Sequence, residues 1–257
     1  MRQGDGLDTK IYSLPGFHDP FSAMSHLFAA VLFGVLGTMV LRKGGRGPVD
    51  LTRYVCLLAY VFGCVFLFSM SGVYHMMQAG GTARLVMGRL DHGAIFVLIA
   101  ASFTPAHGIL FHGWLRWGPL IFIWSAAVTG ITLKTIFFDD LPEAVGLGLY
   151  LAMGWLGALS GSLLALRHGY RFISPLLWGG VAYSIGGALD GFRWPTIIPG
   201  VIRSHEVFHV AVVIGAFLHW RFIMQFADGR IPRCRRSLDQ SSETHEPHAA
   251  QRSASEA

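Results

Sequence analysis

Residues 51–75 read LTRYVCLLAYVFGCVFLFSMSGVYH. From Tyr54 to Tyr74 no side chain carries a charge, and the run is apolar throughout rather than alternating with period two. About 20 such residues suffice to cross the hydrocarbon of a bilayer as a helix. Lipid offers backbone groups no partner, so a spanning segment must bond within itself or close into a barrel, and continuous apolarity selects the helix.

The same pattern recurs along the chain. Windows at 21–41, 91–112, 117–138, 143–166, 172–189 and 204–226 add six more candidate spans to 51–75. Only 14% of the 257 residues are charged and 53% are hydrophobic, where a soluble domain carries about a quarter charged residues. The expected fold class is therefore all-α: a polytopic seven-transmembrane-helix bundle. Residues 1–19 form a polar N-terminal segment with no evident cleavable signal, 20–226 the membrane domain, and 227–257 a polar tail with little to bury, expected to be disordered. Neither a second soluble domain nor an internal repeat is evident.

The net charge of +5 calls for no nucleic acid, because basic residues flanking spans meet anionic lipid and set orientation. The partners expected are membrane lipids, a lipid substrate among them. Glycines inside the spans (Gly154, Gly157, Gly161, Gly179, Gly180, Gly186 and Gly187) are read as points of close helix approach. Pro105 is expected to kink the third span at a place where neighbours can satisfy the freed carbonyl. Cys56 and Cys64 read as small core residues, whereas Cys234, flanked by Arg233, Arg235 and Arg236, is a weak lipidation motif.

Seven crossings carry a chemical consequence. The second span ends, and the third and seventh begin, on the side where the N-terminus lies, so His75, Asp91, His92, His205 and His209 converge on one face of the membrane. His205 and His209 stand at i, i+4 and share one side of a helix. Three protein ligands with one position left open is the pattern of catalytic zinc, and zinc is the usual ion of redox-free hydrolysis. His75, His205 and His209 are therefore the candidate metal ligands, and zinc is the candidate cofactor of an intramembrane metal site. The other span histidines, His26 and His92 among them, read as packing or interface residues.

Ser71 lies one turn before His75 on the same face, where its hydroxyl serves either a developing oxyanion or a back-bond to a carbonyl. Asp91 opens the third span in this reading, and divides between complementing the helix dipole and shuttling a proton. These two are the candidate catalytic residues. Glu206 points away from the face its neighbours share and reads as structural.

The segment Phe68-Ser-Met-Ser-Gly-Val-Tyr-His75, followed by Arg89-Leu-Asp-His-Gly-Ala-Ile-Phe96 and the Thr104-Pro105 pair, resembles the bacterial hemolysin III proteins. So do Gly179-Gly-Val-Ala-Tyr183 and Ser204-His-Glu-Val-Phe-His209. That family groups with the progestin and adipoQ receptors and, more remotely, the alkaline ceramidases. The resemblance implies seven spans in a bacterial inner (plasma) membrane. It also implies a zinc ion on His75, His205 and His209, with a water near Asp91 and Ser71. Ceramidase-like relatives cleave lipid amides, the hemolysin label refers to pore formation, and the receptors respond to adiponectin or steroids, so the resemblance implies the metal more firmly than the reaction. One departure stands in the first span, Asp19-Pro-Phe-Ser22-Ala-Met-Ser25-His26, where hemolysin III proteins commonly have an acid and then Asn: Asp19 keeps the charge, and Ser22 loses the amide.

The leading expectation is a zinc-dependent membrane hydrolase acting on a lipid amide or ester. The alternative is a membrane-perturbing, pore-forming or receptor-like protein in which zinc only ties helices together. A transporter finds no support, there being no inverted repeat and no buried chain of charges. Of the 20 Lys and Arg residues, 7 fall on the N-terminal side and 13 on the other, which predicts a cytoplasmic C-terminus, opposite to the receptor relatives.

Overall fold

The computed structural model describes residues 12–231. Eight helices follow one another: α1 (Pro20–Gly44), α2 (Leu51–Met76), α3 (Thr82–Leu110), α4 (Trp114–Ile136), α5 (Glu143–Trp155), α6 (Gly157–His168), α7 (Tyr170–Gly191) and α8 (Ser204–Met224). Helices α5 and α6 are one span interrupted at Leu156, so the described residues include seven helical segments long and apolar enough to cross a membrane. The all-α expectation holds: among the described residues no strand forms, only isolated bridges.

Successive helices α1 to α4 pack as antiparallel neighbours, α7 pairs with α8, and α8 also lies against α1, closing the bundle. The core between them is aromatic and aliphatic, with Phe33, Tyr60, Phe68 and Phe222 almost wholly buried. Two polar tips that enter it find backbone partners: the Tyr60 hydroxyl donates to Ala216 O (3.1 Å) and the Trp220 indole to Leu36 O (3.1 Å). The opposite faces carry exposed Phe28, Val31, Phe62 and Ile121, the side chains a lipid-facing surface requires. Cys56 and Cys64 are both buried in α2.

Glycine explains how closely α7 and α8 approach. A Cβ on Gly186 would stand 2.5 Å from that of Ala211, and one on Gly215 would stand 2.7 Å from the Tyr183 ring. Gly179 likewise makes room for the His219 ring, and Gly187 for Leu147. Gly154 and Gly180, read from sequence as packing points, face open space instead.

The largest departure from the expected spans is at α3, which begins at Thr82 instead of 91 and runs unbroken through Pro105. Its 29 residues would extend about 44 Å, more than a bilayer core, so the first turns continue outside the apolar stretch. Hydropathy marks where a segment becomes apolar; it does not mark where hydrogen bonding begins. At the other end, Phe226 and Ala227 are fully buried, so the core extends to the first residue assigned to the tail. Residues 232–257, with Cys234, lie outside the described residues.

Candidate metal centre

Two helices bring the histidines together at the N-terminal face of the bundle. His75 lies in the last turn of α2, while His205 and His209 occupy the first two turns of α8. One ring nitrogen from each lies within 4.8 Å of the other two. The ring centroids are 5.1 Å (His75–His205), 4.9 Å (His75–His209) and 4.6 Å (His205–His209) apart. The structure thus brings together the three histidines singled out by spacing.

Two carboxylates decide how two of these rings present themselves. His75 Nδ1 donates to Asp19 Oδ2 at 3.0 Å, and His205 Nδ1 donates to Asp190 Oδ2 at 3.2 Å. Asp19 reaches His75 because its own N–H donates to His75 O (3.0 Å) and the N–H of His18 to Met76 O (3.2 Å), tying the start of α1 to the end of α2. Arg84, in the first turn of α3, donates to Asp19 Oδ2 at 3.0 Å and to the carbonyl of Met77, with its guanidinium over the Tyr74 ring. Burial alone would raise the Asp19 pKa. Hydrogen bonds from His75 and Arg84 outweigh it and hold the carboxyl well below the usual range, so Asp19 stays an acceptor.

With both Nδ1 atoms donating, His75 and His205 as neutral rings turn lone pairs toward each other, and their Nε2 atoms stand 3.3 Å apart. Two acceptors at that separation repel unless a proton or a cation lies between them. A shared proton serves two nitrogens, whereas a cation also serves the third ring. That third ring, His209, is buried and offers a nitrogen to the same cluster. Zinc–nitrogen bonds of about 2.0–2.1 Å at tetrahedral angles put ligand nitrogens roughly 3.3 Å apart. The residues present fit a zinc-sized ion.

The remaining predicted residues sit nearby in different ways. Ser71, one turn before His75, is almost fully buried. Asp91 is also buried, but in the third turn of α3; with the helix starting at Thr82, its reading as the acid that complements the helix dipole fails. It lies close enough to both His75 and His205 to act on them electrostatically. Glu206 accepts from Ser22 Oγ at 2.9 Å and from the backbone N–H of Arg203 at 2.9 Å, capping α8 and fastening it to α1. Ser22 thus contributes a tie between α1 and α8.

Sequence reading left out two features. His26, assigned to packing, stacks on the candidate ligand His209 with ring centroids 3.8 Å apart and an 11° interplanar angle. Asp190, in the last turn of α7, was passed over because the sixth apolar window stops one residue before it; an acid at that boundary was the available signal.

A model of haemolysin-III related proteins matches residues 17–220, which takes in every residue of the cluster. The chain is 29% identical over 199 residues to "Hemolysin-3" of Bacillus cereus, covering 76% of this chain and 85% of that one. To "Hemolysin-3 homolog" of Bacillus subtilis (strain 168) it is 37% identical over 143 residues, 56% of this chain and 63% of that one. It is also 26% identical to "Heptahelical transmembrane protein 1" of Arabidopsis thaliana over 246 residues, 85% of this chain and 73% of the plant protein. With the family match running from before α1 nearly to the end of α8 and seven helices fit to span a membrane, the chain belongs to the haemolysin-III related family of multi-pass integral membrane proteins.

Proposed function

We propose that this protein is a zinc-dependent integral membrane hydrolase that cleaves an amide or ester bond of a lipid. The observation that carries the reading is the pair of Nε2 atoms on His75 and His205, 3.3 Å apart with both Nδ1 atoms committed to carboxylates, beside a third imidazole on His209. Three imidazoles leave a fourth position open, and zinc held by them would supply Lewis acidity and lower the pKa of a water toward about 7.

The other roles fall to the chain's own groups. A carboxylate oxygen of Asp91 takes the proton released as water adds to the lipid carbonyl. As the carbon–nitrogen or carbon–oxygen bond breaks, it returns that proton to the leaving amine or alcohol. The Ser71 hydroxyl donates to the carbonyl oxygen as charge develops there. The substrate comes from the bilayer itself, the described residues forming a membrane bundle.

Metal analysis of the purified protein tests the premise: about one zinc per chain is expected, and loss of it in His75→Ala and His209→Ala. Lipid amide or ester turnover that vanishes in Asp91→Ala tests the chemistry. Absence of metal from the wild type overturns the whole reading. The name of the Bacillus cereus relative favours a second one, in which the protein perturbs membranes and zinc merely joins α2 to α8. Membrane leakage that persists without the three histidines, together with zinc but no turnover in the wild type, would replace the first reading by the second.

A further inference from the structure

The two carboxylates behind the histidines are not equivalent. Asp19 is closed in: its side chain is 7% exposed, His75 is 6% exposed, and Arg84 and His18 both bond to the carboxylate. Among the described residues the Asp190 carboxylate bonds only to the opening residues of α8, accepting from His205 Nδ1 at 3.2 Å and from Ser204 Oγ at 3.5 Å. Its side chain is 32% exposed and that of His205 is 37% exposed. Asp190 also comes from α7, a helix that supplies none of the three histidines, and the glycine-lined contact of α7 with α8 sets its position.

We propose that Asp190 is a positioning residue of the metal centre, holding the His205 imidazole in its ligating tautomer and orientation and so setting how fast the ion is gained and lost. This rests on the metal-centre reading above. An imidazole whose Nδ1–H is fixed by a carboxylate is more basic at Nε2 and loses less freedom on ligation. Of the two histidines so supported, His205 is the one whose support is about one-third exposed. An ion therefore leaves by releasing His205 first, while His75 stays locked by Asp19 and Arg84. Neutral asparagine at 190 can still accept the hydrogen bond through its carbonyl oxygen, but it brings no negative charge.

The test uses full-length protein in detergent micelles, loaded with Zn(II) or Co(II). In Asp190→Asn we expect affinity to fall about 10- to 100-fold, release to a chelator to quicken, and the Co(II) visible band to shift. Asp190→Glu, which keeps the carboxylate, should recover part of the affinity. Glu143→Gln removes an exposed acid from the same membrane face and should change neither quantity, which separates positioning from general attraction of cations. Binding and release in Asp190→Asn equal to the wild type would overturn the proposal. So would a loss of affinity matched by a lower Tm of the metal-free protein and unrelieved by Glu, which would make Asp190 merely structural. A wild type that takes up neither ion would instead bring down the metal-centre reading, and this proposal with it.

Discussion

His209 is backed on one face by another imidazole. His26 stacks on it, and its Nε2 lies 3.4 Å from His209 O, while Phe68 meets His26 edge-on at 5.1 Å. A flat ring at position 26 should therefore preserve the site better than a small side chain. His26→Phe is expected to keep zinc near wild-type content, and His26→Ala to lose several-fold in affinity, read by metal titration. Ser71 and Asp91 make a different contrast, since neither is a candidate ligand. Asp91→Asn should retain zinc and lose turnover by about 10²- to 10⁴-fold, the range for a removed acid–base group. Ser71→Ala should retain zinc and lose about 10²- to 10³-fold, as for a missing oxyanion donor. Zinc content and turnover measured on the same preparation check both, and loss of metal in either variant would show that the side chain supports the ligands instead.

Among the helices, the contact of α7 with α8 matters most to the centre, because it brings Asp190 to His205. Adding a side chain where Gly186 meets Ala211 forces the helices apart, and overpacking of this kind costs about 1–3 kcal/mol. Gly186→Leu should accordingly lower Tm and quicken zinc release. Gly180→Leu, in the same helix but facing open space, should do neither. Thermal unfolding with a parallel chelator assay distinguishes them. The two glycines look alike in the sequence, since nothing in a hydropathy profile says which face of a helix meets its neighbour. The extra turns of α3 escape notice for a related reason: Thr82 to Leu90 includes two arginines, and a polar helical turn resembles a loop when only apolarity is read.

Seven spans put the segments before α1 and after α8 on opposite sides of the membrane. With 13 of 20 Lys and Arg residues on the C-terminal side, the C-terminus is expected in the cytoplasm, leaving the histidine cluster at the outer face. Reporter fusions at residue 1 and residue 257 check this, and a cytoplasmic signal from the N-terminal fusion would reverse it. Two things followed from the sequence by itself: the number of crossings, because lipid admits only segments that bond internally, and the convergence of His75, His205 and His209, because parity of crossings assigns each to a face. Only the tertiary structure decided what stands behind those rings. Asp19, Arg84, Asp190 and His26 come from four different helix ends or faces, and the contacts that join them to the cluster depend on helix rotation and approach, quantities that no one-dimensional pattern of polarity contains.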